Sequence, residues 1–215
     1  PFNKSKLANS ERKVRNLDYY ETVNIRTKPG SAPDKTVVEV DVTEKSTGEL
    51  SIGAGFSTND GPLADFRIRE RNFLGKGQDL ALAAVVAGER TEFDIGFTEP
   101  YFLNRDVSAG VSAFHITRDF QDESSFDQRR TGGGVNVGYP LSERWRQTLR
   151  YRIERNEITD GDSDASRFIR DQEGERNTSA FSQRTTYDSR DSTVFPTEGL
   201  LYRLDTEIAG LGGDA

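Results

Sequence analysis

From Thr47 onward, apolar and polar residues alternate one by one, and this two-residue pattern recurs nine times without giving way to helical spacing. Leu50, Ile52, Ala54 and Phe56 alternate with Ser51, Gly53, Gly55 and Ser57, and Ala64, Phe66 and Ile68 with Asp65, Arg67 and Arg69. Leu80, Leu82, Ala84 and Val86 follow, then Phe93, Ile95 and Phe97. Five further runs lie at Val107–Ile116, Gly133–Tyr139, Trp145–Glu154, Thr178–Tyr187 and Leu200–Ile208. Successive side chains of a strand point to opposite faces, so each run has one apolar and one polar face. Nine such runs in sequence predict a mainly β, antiparallel, up-and-down sheet.

Composition decides what can cover the apolar face. Only 33% of the 215 residues are hydrophobic and 30% are charged, and no stretch approaches the roughly 18 apolar residues of a membrane helix. A transmembrane β-barrel is compatible with these figures, because lumen-facing polar residues lower the average. The connections fit that reading. Asn72–Gly77, Pro100–Asn104 and Tyr139–Ser142 are compact and aromatic, whereas 58–61, 87–90, 117–131 and 156–177 are polar. Tight turns on one rim and long loops on the other describe an outer-membrane barrel, with Phe73, Tyr101, Phe102, Tyr139 and Trp145 in its interfacial aromatic girdle. A soluble β-sandwich or lipocalin-like barrel shares the same alternation and stays open at this point. The formal charge of -7 argues against a nucleic-acid partner, which needs clustered cations. With no cysteine, disulfides and thiol chemistry are excluded.

Residues 1–45 read differently. Leu7, Val14 and Leu17 share a helix face over residues 3–18, with Asn3 or Ser5 available as N-cap. Thr22–Arg26 and Thr36–Thr43, the latter alternating Val38, Val40 and Val42 with Glu39 and Asp41, form a hairpin with one face buried. A helix and a hairpin are too little to stand alone. The chain opens mid-pattern without an initiator Met, so it is read as a piece of a longer protein.

At Thr47–Gly77, TGELSIGAGFSTNDGPLADFRIRERNFLGKG, the chain resembles the BamA family of outer-membrane assembly factors, the bacterial surface antigen family. TEPYFLNRD, ending at Asp106, and DSRDSTVFPTEG, at 188–199, look like that family's periplasmic turns. The segment from Glu11 to Gly48 looks like the back half of its last periplasmic POTRA domain. The resemblance implies a partial α+β POTRA domain over 1–45 and the first part of a sixteen-stranded barrel over 46–215. It implies a bacterial outer-membrane location with the N-terminal part in the periplasm, and a non-enzymatic activity without cofactor. That activity is the folding and insertion of β-barrel proteins. Its partners would be unfolded outer-membrane protein clients, assembly-complex lipoproteins and outer-membrane lipid. A two-partner-secretion-type polypeptide transporter of related architecture is the alternative, and an outer-membrane barrel enzyme a third.

Combined with strand chemistry, the resemblance points to a client-binding lateral gate at the first barrel strand: Gly48, Glu49, Leu50, Ser51, Ile52, Gly53, Ala54, Gly55, Phe56 and Ser57. Few of these side chains can cross-link the strand to a closing neighbour. An edge with free backbone groups is a template for strand addition that tolerates many sequences. The hairpin of Val23–Ile25 and Thr36–Thr43 offers a second edge or serves structure alone.

Other chemistry weighs less. His115, the only histidine, has Ser112 and Asp119 nearby, but Ser112 and His115 are an odd number of residues apart and face opposite ways on a regular strand. Asp160, Asp162, Asp164 and Asp171 resemble a calcium loop that lacks the glycine at its sixth position, where Ala165 stands. An acidic surface loop is the plainer reading. Gly132–Gly134 cradle no phosphate and serve to relieve crowding or bend the sheet. Arg67, Arg69, Arg150, Arg152, Glu154, Arg203, Asp205 and Glu207 line the polar face with both signs, which suits a salt-bridged wall better than a single-sign ion pore.

Overall fold

The computed structural model describes residues 4–32, 35–121, 126–160 and 173–213. The chain divides into two compact units, one of residues 1–47 and 188–201 and the other of 48–187 and 202–215. In the first unit, α1 (Lys4–Asn16) is followed by β1 (Tyr20–Pro29) and β2 (Thr36–Glu44). Ser5 lies inside α1 and so does not cap it, and Asn3 is outside the described residues. The helix ends at Asn16, and two residues later Asp18 adopts a left-handed φ of 58°. Arg15 ties the helix to the sheet by donating to the Val23 carbonyl at 2.7 Å.

β1 and β2 pair in register from Pro29 opposite Thr36 to Ile25 opposite Val40 and Val23 opposite Val42. One face is polar and cross-linked, with Arg26–Asp41 at 2.8 Å and Lys28–Glu39 at 2.7 Å. The other carries Val23, Ile25, Val38, Val40 and Val42. Burial of this whole face, expected from the alternation, is found only at Val23, which is 4% exposed, whereas Val40 is 50% exposed. The physical reason is placement: α1 packs against β1 and leaves the β2 side open.

The second unit is one antiparallel sheet of nine strands: β3 (Gly48–Ser57), β4 (Gly61–Phe73), β5 (Gln78–Ala87), β6 (Arg90–Glu99), β7 (Ser108–Asp119), β8 (Phe126–Pro140), β9 (Trp145–Asp160), β10 (Gly174–Asp188) and β11 (Leu201–Gly213). Each strand bonds to its sequence neighbours, leaving β3 and β11 as the edges. The strands outrun their apolar alternation. β8 begins at Phe126 and β9 continues to Asp160, so the described residues of the polar segments 117–131 and 156–177, read above as loops, are largely strand, while 122–125 and 161–172 lie outside the described residues. Backbone pairing needs no apolar side chain, and polar residues there cross-link neighbours, as in Gln128 to Asn156 at 2.9 Å.

Register fixes the two faces. Ile52, Phe66, Ala84, Phe93, His115, Thr131, Arg155 and Asn177 stand opposite one another in a single row, and strand alternation carries this face through Leu50, Phe56, Ile95, Val111, Val135 and Ile153. These large apolar residues are exposed, Ile52 at 72% and Phe56 at 77%. Ala180 is the one fully buried hydrophobic residue of this unit among the described residues. Among the described residues this face has no buried core, so the sandwich alternative fails and the apolar face requires an apolar solvent. Among the described residues no helix is long and apolar enough to cross a membrane.

On the opposite face charges pair: Arg69–Asp79 at 2.7 Å, Arg130–Glu154 at 2.7 Å, Arg184–Asp205 at 2.5 Å and Arg152–Glu207 at 3.6 Å. The mixed-sign wall read from the sequence is thus a set of cross-strand ion pairs. Along the short-turn ends of the last strands, Trp145 stacks at a tilt on Tyr187 with centroids 5.1 Å apart, and Tyr187 lies 6.4 Å from Tyr202. This ladder extends the expected girdle by two tyrosines.

Gly132 shows why a glycine interrupts β8. A Cβ there would lie 2.7 Å from the Ile153 carbonyl oxygen and 2.7 Å from the Phe114 ring. In chemical unfolding of the complete protein in detergent micelles, Gly132→Ala is therefore expected to lose about 1–3 kcal/mol. Gly96→Ala, where a Cβ meets nothing within 4 Å, should be neutral or slightly stabilising. Equal effects at both positions would refute the crowding explanation.

Candidate functional site

The expected site residues, Gly48 to Ser57, coincide with β3 (Gly48–Ser57). Its partner on one side is β4, from Gly48 opposite Glu70 to Ser57 opposite Gly61; its other side is a sheet edge. Leu50, Ile52 and Phe56 stand exposed on the apolar face, while Ser51, Gly53 and Gly55 occupy the polar one. The two ends of the strand have side chains committed toward β4. Glu49 pairs with Arg71 at 3.4 Å, and the Ser57 hydroxyl accepts the backbone N–H groups of Asn59 and Asp60 at 3.2 and 3.1 Å.

A Cβ on Gly53 would meet the Asp65 carboxylate on β4, the end of a flexible side chain that must turn aside to admit it. What β3 offers at its open edge is therefore backbone N–H and C=O groups with small polar-face and apolar membrane-face side chains. Such an edge binds through main-chain hydrogen bonds and discriminates little between sequences. At the other edge, β11 likewise exposes Tyr202, Leu204 and Ile208.

The remaining candidates separate. His115 shares a register row with Phe93 and Thr131 on the apolar face, whereas Ser112 stands opposite Gly96 and Gly134 on the polar one. No nucleophile and base come together there. Asp162, Asp164, Ala165 and Asp171 of the calcium-loop motif lie outside the described residues, as does the side chain of Asp160. Among the described residues no group of three or more His, Cys, Asp or Glu is placed to hold a metal ion. Lys76 and Arg105 fall in the β4–β5 and β6–β7 turns, as expected. Leu74 and Leu103 beside them take left-handed φ values of 57° and 56°.

The β10–β11 connection is organised by one carboxylate. Asp191 Oδ2 accepts the Thr197 hydroxyl at 2.5 Å, and Oδ1 accepts the backbone N–H groups of Ser192, Thr197 and Glu198 at 3.0, 2.9 and 3.1 Å. The Thr197 hydroxyl and these amides hold its pKa well below the ordinary carboxylate range. Beside it, Asp188 receives both the Arg190 backbone N–H and its guanidinium. The DSRDSTVFPTEG string carried this motif, but its hydrogen bonds span seven residues and could not be drawn from spacing alone.

Residues 72–215 match the Omp85 superfamily domain. The chain is 33% identical to the outer membrane protein assembly factor BamA of Nitratidesulfovibrio vulgaris, over 99% of this chain and 27% of that protein. It is 30% identical to the BamA of Neisseria meningitidis, over 66% of this chain and 19% of that one. The chain thus spans under a third of the length of these relatives. A crystal structure of Haemophilus ducreyi BamA lacking POTRA domains 1–3 aligns with a TM-score of 0.66 at 20% identity, over 98% of this chain and 43% of that one. That likeness shows the fold: the nine-stranded sheet corresponds to part of a barrel wall.

The Asp191 turn yields a pH expectation. Its folded-state pKa is depressed, so the charge stabilises the turn at every pH above the unfolded carboxylate value of about 3.9, and this contribution fades only as pH falls through the lower folded value. Amide exchange at Thr197 and Glu198 should stay slow in the wild type at pH 3 and speed up in Asp191→Ala at any pH. Loss of wild-type protection already near pH 4 would contradict the hydrogen-bond cause.

Proposed function

The chain belongs to the Omp85 superfamily, and from that premise we propose that the protein folds and inserts other β-barrel proteins into the bacterial outer membrane. The observation that supports this reading is the make-up of β3, an outer strand of the nine whose small polar-face and apolar side chains leave backbone N–H and C=O groups as its main chemistry. The sheet resides in the outer membrane, with residues 4–45 on the periplasmic side. A client strand pairs with β3, gains main-chain hydrogen bonds inside the apolar layer where unsatisfied groups are costly, and moves into the bilayer as further strands follow. Residues 48–57 are the gate, and unfolded outer-membrane proteins are the clients. Assembly-complex lipoproteins and outer-membrane lipid are its other partners. No covalent step, metal or cofactor is needed. The open hairpin edge of β1 and β2 is a second place where an extended client could add.

Two tests use the absence of cysteine. In the complete protein, Ser51→Cys or Gly53→Cys is expected to cross-link to the terminal strand of a stalled client more efficiently than Gly138→Cys, which lies mid-sheet. Equal yields would contradict a gate at β3. In intact cells, a thiol reagent that cannot cross the outer membrane should label Asp162→Cys and spare Lys76→Cys, and the reverse pattern would invert the orientation.

A further inference from the structure

The apolar face of the sheet is not smooth. A hollow of about 580 Å³ opens on it across β4 to β8, within the roughly 300–1,000 Å³ typical of small-molecule sites. Ala84 and Ala113 form its floor, and Phe66, Leu82, Phe93 and Ile95 rise around them. The small floor residues stand next to large walls in the same register rows, so the depression is built by side-chain size.

One end of the hollow is polar. His115 Nδ1 and Thr131 Oγ1 are 2.7 Å apart, and Thr117 Oγ1 lies 3.4 Å from His115 Nε2. Both rim residues lie where the apolar band stops: Ala109, Val111 and Ala113 precede His115 on β7, and Val137, Val135 and Gly133 precede Thr131 on β8. Arg155 stands opposite Thr131 in the same row and pairs with Glu175 at 3.5 Å, and one row further on the same face Arg129 pairs with Glu157 at 3.2 Å. The hollow thus begins in the hydrocarbon layer and ends at its polar boundary.

Each imidazole tautomer leaves one polar hydrogen without a close acceptor. If Nδ1 carries the proton it donates to Thr131, and the Thr131 hydroxyl hydrogen is left over. If Nε2 carries it, the hydroxyl serves Nδ1, and Nε2–H has only the long contact to Thr117. An ionisable or donor group facing lipid without an acceptor is costly, and such residues mark functional sites.

We propose that this hollow binds one membrane lipid, an acyl chain lying over Ala84 and Ala113 and its ester or amide carbonyl oxygen accepting the hydrogen bond from the His115–Thr131 pair. The occupant follows from position, because the face is bathed in acyl lipid, and from chemistry, because the pair lacks a hydrogen-bond acceptor while the adjacent charges are already paired. The site is separate from the β3 edge and independent of client assembly.

The test uses the complete protein in phosphatidylcholine nanodiscs with a trace of phosphatidylcholine carrying a photoactivatable acyl chain. Label should concentrate on peptides of β5 to β7. Ala113→Trp, which fills the hollow, should bring that label down to the level of the rest of the apolar face, while Val135→Trp, outside it, should leave it unchanged. Thr131→Val, nearly isosteric and without a hydroxyl, keeps the test valid if the tryptophan variant does not fold. It should lower occupancy about three- to tenfold, the value of one hydrogen bond. Even labelling over the apolar face, or label unaffected by both Ala113→Trp and Thr131→Val, would show ordinary annular lipid and overturn the site. Client insertion measured on the same variants reports on the assembly reading separately.

Discussion

Every strand of the sheet has to find partners for its backbone N–H and C=O groups, because the apolar layer around it offers none. This constraint orders the rest. Pairing of each strand with its sequence neighbour gives the simplest topology that meets it, and the register then sorts side chains into a lipid-facing and a polar set. Within these nine strands, β3 and β11 have a neighbour on one side only.

The other interactions are secondary in magnitude. Cross-strand ion pairs line the polar face, yet both members of Arg184–Asp205 and Arg152–Glu207 are about half exposed, and exposed pairs contribute only about 0–1 kcal/mol each. Arg130–Glu154 is the more sheltered pair, with Glu154 at 15% exposure and two hydrogen bonds to one guanidinium. These contacts favour one register over its neighbours. They do not replace a core, and the second unit has almost none of its own.

Much of this was legible in the sequence, because a two-residue period is a local signal. The nine strands, the apolar and polar sets and the separation of Ser112 from His115 all follow from counting by two. Strand length was less legible: 126–131 and 156–160 look like loop because their residues are polar, while the ladder that holds them depends on neighbours far along the chain. The exposure of Val38, Val40 and Val42 was missed for a similar reason, since alternation tells which residues share a face and not what covers it. At the candidate site, β3 was recognisable end to end, but the close approach of position 53 to a carboxylate depends on Asp65 lying opposite, and the hollow between Ala84 and Ala113 depends on five strands meeting in register.

The central claim is that β3 keeps an exchangeable edge which a client strand completes. Residue-resolved hydrogen exchange of the complete protein in a bilayer, with and without a peptide copying the terminal strand of a client barrel, tests it most directly. The account predicts that part of the amides between Gly48 and Ser57 exchange faster than those of β5 to β8, and that the peptide slows them selectively. Amides of β3 as protected as the sheet centre without peptide, and unchanged when it is added, would contradict it.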